Sequence, residues 1–300
     1  MRTLLTGAGG YVGLHLLRAL LADGHDVTAF VRAPERLGPF ARDRRVEVVV
    51  GDLEDRDRVA AALPGHELLV HAAILWGEPG EELELHDVVA AAHLFDAAGR
   101  AGVDRAIYLS SAAVHRPFAG EMSEADPLRT ADLYGATKAA GELFLRAAGA
   151  QHGMATIVVR PGPIVGPPAW AGGAFRSPER ITEMVRAALA GRAIEVLRGD
   201  GRQLSDVADV AAAVRLLARV ADPLPTYVCV EREVSTWERI ARLVVGCVAS
   251  ASDVRVVGEG GGPVPRFRTD RIEGLLCRPL DAEGALRAHV RHLAASLERR

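Results

Sequence analysis

A tyrosine and a lysine one helical turn apart have the clearest catalytic potential in this 300-residue chain. Tyr134 and Lys138 are separated by four positions, so on a helix both side chains project from the same face. A phenol with a pKa near 10 is a poor acid-base catalyst at neutral pH unless a nearby cation stabilises the phenolate, and Lys138 supplies that cation. The pair predicts proton transfer, although a YxxxK spacing alone also suits an ordinary surface helix.

Two adjacent serines favour the catalytic interpretation. Ser110 and Ser111 end the apolar run of residues 106–109, at the carboxyl edge where an open α/β sheet binds ligands. A serine at that edge can hydrogen-bond a reacting hydroxyl or carbonyl oxygen and align it with Tyr134. The three side-chain types therefore predict acid-base chemistry at a hydroxyl or carbonyl group.

A glycine-rich segment, residues 6–13 (TGAGGYVG), joins a short apolar strand to a helix with apolar residues at helical spacing. Gly7, Gly10 and Gly13 fit the needs of a dinucleotide loop: a tight turn, close backbone approach to a pyrophosphate, and close packing of helix on strand. The helix N-terminus offers N–H groups and the positive end of its dipole to phosphates. A ligand-free strand-to-helix turn is the alternative, and the strand–loop–helix context favours a dinucleotide site.

The elements that position these residues alternate along the first half of the chain. Because alternating strands and helices imply parallel strands joined by right-handed crossovers, we predict an α/β fold with a doubly wound parallel (Rossmann) sheet. We expect residues 1–160 to form the dinucleotide-binding domain. Residues 161–300 should form mainly a smaller C-terminal substrate-binding subdomain, with some segments returning to the Rossmann core. The predicted strands are residues 3–6, 26–31, 46–50, 68–72, 105–110 and 156–160, and the predicted helices are residues 15–22, 55–63, 86–101, 134–151, 178–190, 207–220, 236–249 and 281–297.

Composition argues against several other classes of protein. A net charge of -3 offers no electrostatic footprint for nucleic acid or an anionic membrane. No apolar run approaches the length of a membrane span, and a first strand beginning at Arg2 leaves no room for a cleavable signal peptide. Cys229, Cys247 and Cys277 lie too far apart for a disulfide framework or a CxxC metal site. We therefore expect a cytoplasmic protein with a small-molecule substrate and no metal.

Taken together, the motifs resemble those of the extended short-chain dehydrogenase/reductases, the NAD-dependent epimerase/dehydratase family. The segment TGAGGYVG matches the family's TGxxGxxG, and residues 51–53 (GDL) and 70–73 (VHAA) are similar to two further cofactor segments. Residues 109–114 (LSSAAV) resemble the catalytic serine segment. Residues 160–167 (RPGPIVGP) and 207–211 (VADVA) resemble segments farther along. The resemblance covers nearly the whole chain.

This resemblance implies roles for individual residues. Ser111, rather than Ser110, falls on the catalytic serine position, and Tyr134 is the implied acid-base. Lys138 would lower the pKa of Tyr134 and hold the nicotinamide ribose. Asp52 would contact the adenine, and residues 70–73 would line the cofactor ribose. The implied cofactor-binding residues are Gly7, Gly10, Tyr11, Val12, Gly13, Arg32, Asp52, Leu53, His71, Ala72, Ala73, Tyr134, Lys138 and Pro161.

Three positions depart from the family pattern. Asp87 stands where the family often has Asn, in the helix before the catalytic serine strand. His115 stands where a Tyr usually follows the valine, and a place in the pocket wall is the plain expectation for it. The acidic residue that binds the ribose 2′-hydroxyl in NAD-preferring members is replaced by Val31, with Arg32 next and Arg36 nearby. A missing carboxylate and an added guanidinium favour NADP over NAD, unless Arg32 only sits on a solvated rim.

The substrate half carries weaker signals. The resemblance implies hydride transfer at a secondary alcohol or ketone carbon, with a nucleotide-activated sugar as the preferred substrate class. Reduction, epimerisation and dehydration use the same residues and stay open. One alternative is an NADPH-dependent ketoreductase of a non-sugar natural product, and another is a non-catalytic NADP-binding sensor. Four arginines are candidates for an anion clamp, in which they would together bind an anionic part of the substrate, or for ordinary surface positions. They are Arg176, Arg180, Arg202 and Arg266.

A homodimer is the expected assembly. Family members commonly pair the helix before the serine strand and the tyrosine helix with their counterparts in a second copy, as a four-helix bundle. Here small residues on these helices would permit close approach, although burial against the sheet explains them equally well. These residues are Ala90, Ala91, Ala139 and Ala140.

Overall fold

Strands and helices alternate along the first half of the chain, as its apolar periodicity predicts. The computed structural model describes residues 1–74, 83–261 and 264–299. Within those ranges no helix is long and apolar enough to cross a bilayer. The strands are β1 (Arg2–Thr6), β2 (Asp26–Val31), β3 (Val46–Val50), β4 (Leu68–His71), β5 (Arg105–Leu109), β6 (Glu121–Met122), β7 (Ala155–Pro161), β8 (Ile164–Val165), β9 (Ile194–Arg198), β10 (Gly201–Arg202), β11 (Ser205–Asp206), β12 (Thr226–Cys229), β13 (Ser235–Thr236), β14 (Val254–Glu259) and β15 (Arg266–Phe267). The helices are α1 (Tyr11–Ala22), α2 (Arg56–Ala62), α3 (Leu83–Arg100), α4 (Leu133–His152), α5 (Glu179–Leu189), α6 (Val207–Leu217), α7 (Trp237–Cys247), α8 (Asp270–Leu276) and α9 (Glu283–Glu298).

Seven parallel strands form the central sheet, in the order β3-β2-β1-β4-β5-β7-β12. From β1 the chain moves outward through β2 and β3, then crosses back to β4 on the other side of β1. The connections that leave the carboxyl ends of β1 and β4 therefore run in opposite directions, which opens the crevice where such sheets bind ligands. The prediction of a doubly wound α/β fold is confirmed.

The strand β12 is the member of the sheet that the sequence pattern does not predict. It pairs with β7, with Thr226 opposite Val158 and Cys229 opposite Pro161. A run of four residues is too short for hydrophobic periodicity to distinguish a strand from other buried segments. Through β12, and through the packing of α6 on α1, the C-terminal half of the chain returns to the sheet.

Apolar side chains cover both faces of the sheet. Leu5 and Ile107 face the core that contains α1 and α6, whereas Leu4 and Tyr108 face the core that contains α2, α3 and α4. Neighbouring residues of a strand point to opposite faces, so a strand covered on both sides reads as a continuous apolar run. This covering leaves the carboxyl edge of the sheet as the place where polar side chains can reach a ligand.

A third core lies in the C-terminal half. It packs α5, α7 and α9 together with the parallel pair of β9 and β14, through residues such as Ile181, Ile240 and Val290. Three segments of the C-terminal half, residues 161–164, 174–178 and 202–203, line the same cavity as the glycine loop. The C-terminal half therefore supplies the second wall of that cavity.

The two long helices α3 and α4 pack against each other on one face of the sheet. Ala90, Ala91 and Ala139 are buried, and Ala140 is half-buried. Burial against the sheet, rather than exposure, therefore explains the first three of these small residues. Among the described side chains of these helices, the large apolar ones that are exposed are Val89, Leu133, Leu143 and Phe144.

Candidate active site

The glycine loop makes three close backbone approaches. Gly7 has a φ of +73°, and a Cβ there would lie 2.6 Å from the backbone nitrogen of Ala73. A Cβ on Gly13 would lie 1.9 Å from the carbonyl oxygen of Gly7, so α1 can sit this close to the loop only with glycine there. The Gly10 N–H donates to the Gly7 carbonyl over 2.9 Å and closes the turn. Helix α1 starts at Tyr11, four residues before the predicted start, so its N-terminus opens directly on the cavity.

That cavity has a volume of about 1000 Å³ and follows the carboxyl edge of the sheet. At one end lie the glycine loop and the ends of β2 and β3, and farther along lie Ser111, Tyr134 and Lys138. The glycine loop and the exposed N-terminus of α1 fit a dinucleotide, because glycine at positions 7 and 13 lets the loop, β4 and α1 pack closely and so presents the helix N-terminus to a pyrophosphate. The predicted residues that line this one cavity are Gly7, Gly10, Tyr11, Val12, Gly13, Arg32, Asp52, Leu53, Ala72, Ala73, Ser111, Tyr134, Lys138 and Pro161.

His71 is the predicted cofactor residue that lies off the cavity wall. Its ring is 1% exposed, its Nδ1 lies 2.7 Å from the hydroxyl of Thr6, and it stacks on Tyr108. Burial, with a smaller contribution from the charge of Lys138, lowers the pKa of His71 to about 3. His71 is therefore a neutral ring in the floor of the site, and the neighbouring Ala72 and Ala73 form the wall.

Helix α4 carries Tyr134 and Lys138 in its first two turns. Its N-cap Asp132 accepts a hydrogen bond from the Gly135 N–H at 2.8 Å, which fixes where the helix starts. A Cβ on Gly135 would lie 2.8 Å from the carbonyl oxygen of Ala113, so glycine at this position lets α4 approach the serine segment closely. Ser111 caps that segment by accepting from the Ala113 N–H at 3.1 Å, and its side chain hydrogen-bonds Tyr134.

The Tyr134 phenol is protonated at neutral pH in this setting. Burial raises its pKa, and the hydrogen bond with Ser111 and the charges of Arg176 and Arg116 act in the opposite direction. The sequence assigned the lowering of this pKa to Lys138. The groups that lower it in the structure are the Ser111 hydroxyl and the guanidinium groups of Arg176 and Arg116, which the YxxxK motif does not contain.

Lys138 is buried below the tyrosine. Its Nζ donates to the carbonyl oxygen of Leu109 at 3.3 Å and lies 4.9 Å from the centre of the Tyr108 ring. Burial lowers the pKa of this ammonium, and the carboxylates of Asp87 and Glu142 raise it. Asp87, which departs from the family's Asn, is therefore a buried negative charge that helps to keep Lys138 protonated.

A buried polar network that the sequence did not predict ties α4 to the sheet. The Arg160 guanidinium donates two hydrogen bonds to the Glu142 carboxylate, at 2.8 and 2.6 Å, and Ser110 donates a third at 2.6 Å. Arg160 also donates to Nε2 of His115 at 2.9 Å. The prediction that His115 stands in the pocket wall is wrong, because its ring is buried in this network. Sequence spacing gave no signal for this network, because its members Arg160, Glu142, Ser110 and His115 come from four separate segments of the chain.

The end of the cavity next to the glycine loop is lined by one acidic side chain and two arginines among the described residues. Val31 is buried, whereas the Arg32 side chain is 61% exposed and its Nη1 lies 3.8 Å from a carboxylate oxygen of Asp52. Arg36 lines the cavity beside them. At this separation the exposed pair is weak, so the Arg32 guanidinium can turn toward a bound anion.

The four arginines of the predicted anion clamp separate into two groups. Arg176 and Arg202 line the cavity. Arg202 also pairs with Asp200. Arg180, off the cavity, bonds the same carboxylate and lies over the ring of Trp237, and Arg266 pairs with Glu233. Arg116, which the sequence did not single out, lines the cavity next to the serine segment.

Comparisons with known proteins agree with this geometry. Residues 3–228 match the model of the NAD dependent epimerase/dehydratase family. The chain is 39% identical to sterol demethylase protein B of Methylococcus capsulatus over 56% of this chain, and it spans about half (52%) of that protein's length. It is 29% identical to dTDP-4-dehydro-6-deoxy-D-allose reductase of Streptomyces bikiniensis over 87% of this chain and 85% of that one.

Among solved structures, UDP-glucuronic acid 4-epimerase from Bacillus cereus in complex with NAD has the same fold. The TM-score is 0.83 at 16% identity, with 98% of this chain and 99% of that chain covered. The family match extends over most of the chain and includes every predicted catalytic residue. The chain therefore belongs to the NAD-dependent epimerase/dehydratase family, as its motifs predict.

Proposed function

We propose that this protein is an oxidoreductase that transfers hydride between a nicotinamide cofactor and a secondary alcohol or ketone carbon. The observation that carries the proposal is the convergence of Ser111, Tyr134 and Lys138 in the same cavity as the glycine loop. The glycine loop and residues 111–138 are far apart in sequence, and they meet at the carboxyl edge of the sheet. A reacting carbon and a dinucleotide would share this space.

The roles follow from the contacts of each side chain. Bound along this edge, a nicotinamide cofactor would supply or accept the hydride. The protonated Tyr134 hydroxyl gives its proton to a carbonyl oxygen during reduction, and takes it back during oxidation. Ser111, already hydrogen-bonded to Tyr134, orients the same oxygen. The Lys138 ammonium provides the buried positive charge beneath the phenol and is the group proposed to hold the nicotinamide ribose.

Replacement of the tyrosine tests this mechanism. Tyr134→Phe keeps the ring but removes the transferable proton, so NADPH binding should survive while turnover falls at least about a hundredfold. Tyr227→Phe is the matched control, because Tyr227 lies on β12 and its hydroxyl accepts only a structural bond from the Leu224 N–H. A screen of ketones and nucleotide sugars with both cofactors would supply the substrate. Retained activity in Tyr134→Phe would contradict the proton-donor role.

The same experiment separates the enzyme from the cofactor-sensing alternative. A non-catalytic sensor would bind NADP(H) and show no turnover with any ketone or nucleotide sugar in the screen. Ser111, Tyr134 and Lys138 face one cavity, which a sensor would not require, so the arrangement favours the enzyme.

NADP is the proposed cofactor, with NAD less favoured. Val31 offers no carboxylate to a ribose 2′-hydroxyl, and the exposed Arg32 can meet a 2′-phosphate. A charged contact of this kind contributes roughly 1.5–3 kcal/mol, so NADPH should bind tenfold or more tightly than NADH. Arg32→Ala should shrink that gap in a fluorescence titration, and Arg44→Ala, an exposed arginine off the cavity, should leave it unchanged. Equal affinities in the natural protein would refute the NADP assignment.

A nucleotide-activated sugar is the first proposed substrate class. The near full-length match to a dTDP-sugar reductase supports it, as do Arg176 and Arg202 at the end of the cavity away from the Arg32 site. We propose that residues 161–300 act mainly as the part that binds this substrate. Reduction, epimerisation and dehydration would be told apart by the products of the screen.

A non-sugar ketone is the second candidate, because the substrate end of the cavity is largely apolar. Phe118, Phe175 and Phe267 line it together with Val230 and Pro265. Aromatic and aliphatic walls suit a hydrocarbon ring system better than a sugar, because a sugar needs many hydrogen bonds. The similarity to a protein named for sterol demethylation supports this reading. If the protein reduces hydrophobic ketones and turns over no nucleotide sugar, the non-sugar substrate is supported.

A homodimer is the proposed assembly. The side chains that α3 and α4 expose include Val89, Leu143 and Phe144, an apolar surface that a second copy could cover. Light scattering at micromolar concentration should give twice the 31.9 kDa mass of the chain. Leu143→Glu should shift the mass toward the monomer, whereas a monomeric natural protein would contradict the proposal.

A further inference from the structure

A buried glutamine organises the wall of the cavity at the substrate end. Gln203, which follows β10, is 4% exposed and lines the cavity. Its Nε2 group donates to the carbonyl oxygens of Glu231 at 2.8 Å and Arg232 at 3.2 Å. The same nitrogen donates to the Phe267 carbonyl oxygen at 3.1 Å, and Oε1 accepts from the Phe267 N–H at 2.5 Å. Both ends of the amide are thus engaged by backbone groups, so Gln203 acts on a ligand through the residues that it holds.

Toward Phe267, the Gln203 side chain takes the place of a neighbouring strand. Strand β15 pairs with β6 along one edge, where the Arg268 N–H donates to the Met122 carbonyl oxygen at 2.8 Å. Alternate residues of a strand direct their N–H and C=O groups to opposite edges, so those of Phe267 point away from β6. A side-chain amide carries the same donor and acceptor as a peptide group, and that of Gln203 pairs with both. Because β15 is only two residues long, this second edge is a large part of what fixes the Phe267 backbone.

The ring of Phe267 forms part of the apolar wall. Phe267 is 6% exposed, lines the cavity and packs in a small core with Val230, which also lines the cavity. The centre of its ring lies 5.7 Å from that of Phe118, in an edge-to-face contact, and 5.6 Å from that of His115. The backbone that Gln203 holds therefore decides how far this wall reaches into the substrate end.

Gln203 also packs against the segment on the cofactor side. A Cβ on Gly162 would lie 2.7 Å from the Gln203 carbonyl oxygen, so glycine at this position is what allows the approach. The Gly162 N–H donates to the Ser205 hydroxyl at 2.8 Å, which holds the two segments together. Pro161, the preceding residue, lines the cavity and is a proposed cofactor-binding residue. One residue thus joins the proposed cofactor segment, through its backbone, to the apolar wall, through its side chain.

We infer that Gln203 is a positioning residue that fixes the Phe267 ring relative to the cofactor segment and thereby sets the size of the ketone that the site accepts. This inference rests on the proposed hydride transfer and deepens its non-sugar candidate. The substrate class is a ketone or secondary alcohol whose hydrocarbon ring packs against Phe267. Because the wall is held at its backbone, its position is fixed, and a hydrophobic pocket of fixed size separates substrates that differ by one or a few carbons by about tenfold or more.

Two uncharged ketones that differ by one fused ring test the size limit. Ligand-observed NMR on the NADP⁺-loaded protein would give the affinity of 2-acetylnaphthalene relative to acetophenone. Gln203→Met keeps nearly the same length but removes the hydrogen bonds of the amide, so the Phe267 ring can yield to the larger ketone. We expect the naphthyl-to-phenyl affinity ratio to rise at least about tenfold. Gln203→Asn, whose amide is one methylene too short, should raise the ratio in the same direction and serves if the methionine variant does not fold.

A double-mutant cycle tests whether Gln203 acts through Phe267. Phe267→Leu removes the ring and should raise the same affinity ratio by itself. Added to Phe267→Leu, Gln203→Met should raise the ratio no further, because the ring that it releases is already gone. Gln151→Met is the matched control: this glutamine is exposed near the end of α4, and its replacement should leave the ratio unchanged.

Four results would overturn the inference. The first is an unchanged affinity ratio in Gln203→Met, including an equal loss of affinity for both ketones, which would mark a structural role alone. The second is an additive effect of Gln203→Met and Phe267→Leu. The third is failure of both Gln203 variants to fold, and the fourth is no binding of either ketone to the natural protein at millimolar concentration. The proposed function fails by different results, namely no binding of NADPH to the natural protein or full activity of Tyr134→Phe, so the two failures are distinguishable.

Discussion

Breaking the buried pair of Arg160 and Glu142 by removing one partner should strongly destabilise the protein. Their side chains are 1% and 0% exposed, and two short hydrogen bonds join them. Arg160→Met keeps most of the volume but leaves the Glu142 carboxylate without its main partner. Removal of one member of a buried ion pair costs about 3–5 kcal/mol. Because Ser110 still donates to the carboxylate, we expect the lower end of this range, about 3 kcal/mol.

A second arginine on the same carboxylate provides the control. Arg146 also donates to Glu142, at 3.4 Å, but its side chain is 43% exposed. Exposed ion pairs contribute less than about 1 kcal/mol, so Arg146→Met should have little effect. Both substitutions remove a guanidinium from the same carboxylate, so the comparison sets a buried pair with two short hydrogen bonds against an exposed one with a single long contact.

Thermal unfolding followed by circular dichroism would measure both variants. At roughly 2 °C per kcal/mol for a chain of this size, Arg160→Met should lower the melting temperature by about 6 °C or more. The double variant Glu142→Met/Arg160→Met should recover part of the loss, because it no longer buries an unpaired charge. Equal melting temperatures for Arg160→Met and Arg146→Met would refute this reasoning.

Three further predictions follow from the site. Lys138→Met should weaken NADPH binding and lower turnover in fluorescence and rate assays, because one ammonium is assigned both roles; unchanged binding would remove the ribose role. Gly13→Ala should abolish NADPH binding, since the new Cβ would lie 1.9 Å from the Gly7 oxygen, whereas Gly246→Ala meets nothing within 4 Å and should bind normally. His71, with a folded pKa of about 3, binds fewer protons than in the unfolded chain between pH 6.5 and 3. Stability should therefore fall as pH is lowered through that window, by up to about 1.4 kcal/mol per pH unit, and denaturant titrations of His71→Gln should show a flatter dependence.

The glycine loop and the placement of Tyr134 and Lys138 on one helix were predictable because their requirements are local. Gly7 and Gly13 must lack a side chain for the loop to close, and that demand appears as glycine spacing. Tyr134 and Lys138 share a helix face because of the helical period alone. Six of the seven strands of the sheet are readable as mostly apolar runs, because helices cover both faces of the sheet, and only β12 is missed.

Long-range packing decided the rest. His71 and Ala72 are neighbours in sequence, yet only Ala72 lines the cavity, because the β4 side chain at position 71 faces Thr6 and Tyr108. No local pattern shows which polar side chain a neighbouring element will cover.

The sequence by itself thus determined the fold class, the glycine loop and the shared helix face of Tyr134 and Lys138, which depend on backbone geometry over a few residues. Only the tertiary structure decided that Arg160 pairs with Glu142, that Arg116 stands beside Tyr134, and which arginines face the cavity. These contacts join residues from separate strands, helices and loops. Their energies depend on burial and distance, which exist only once the chain has folded.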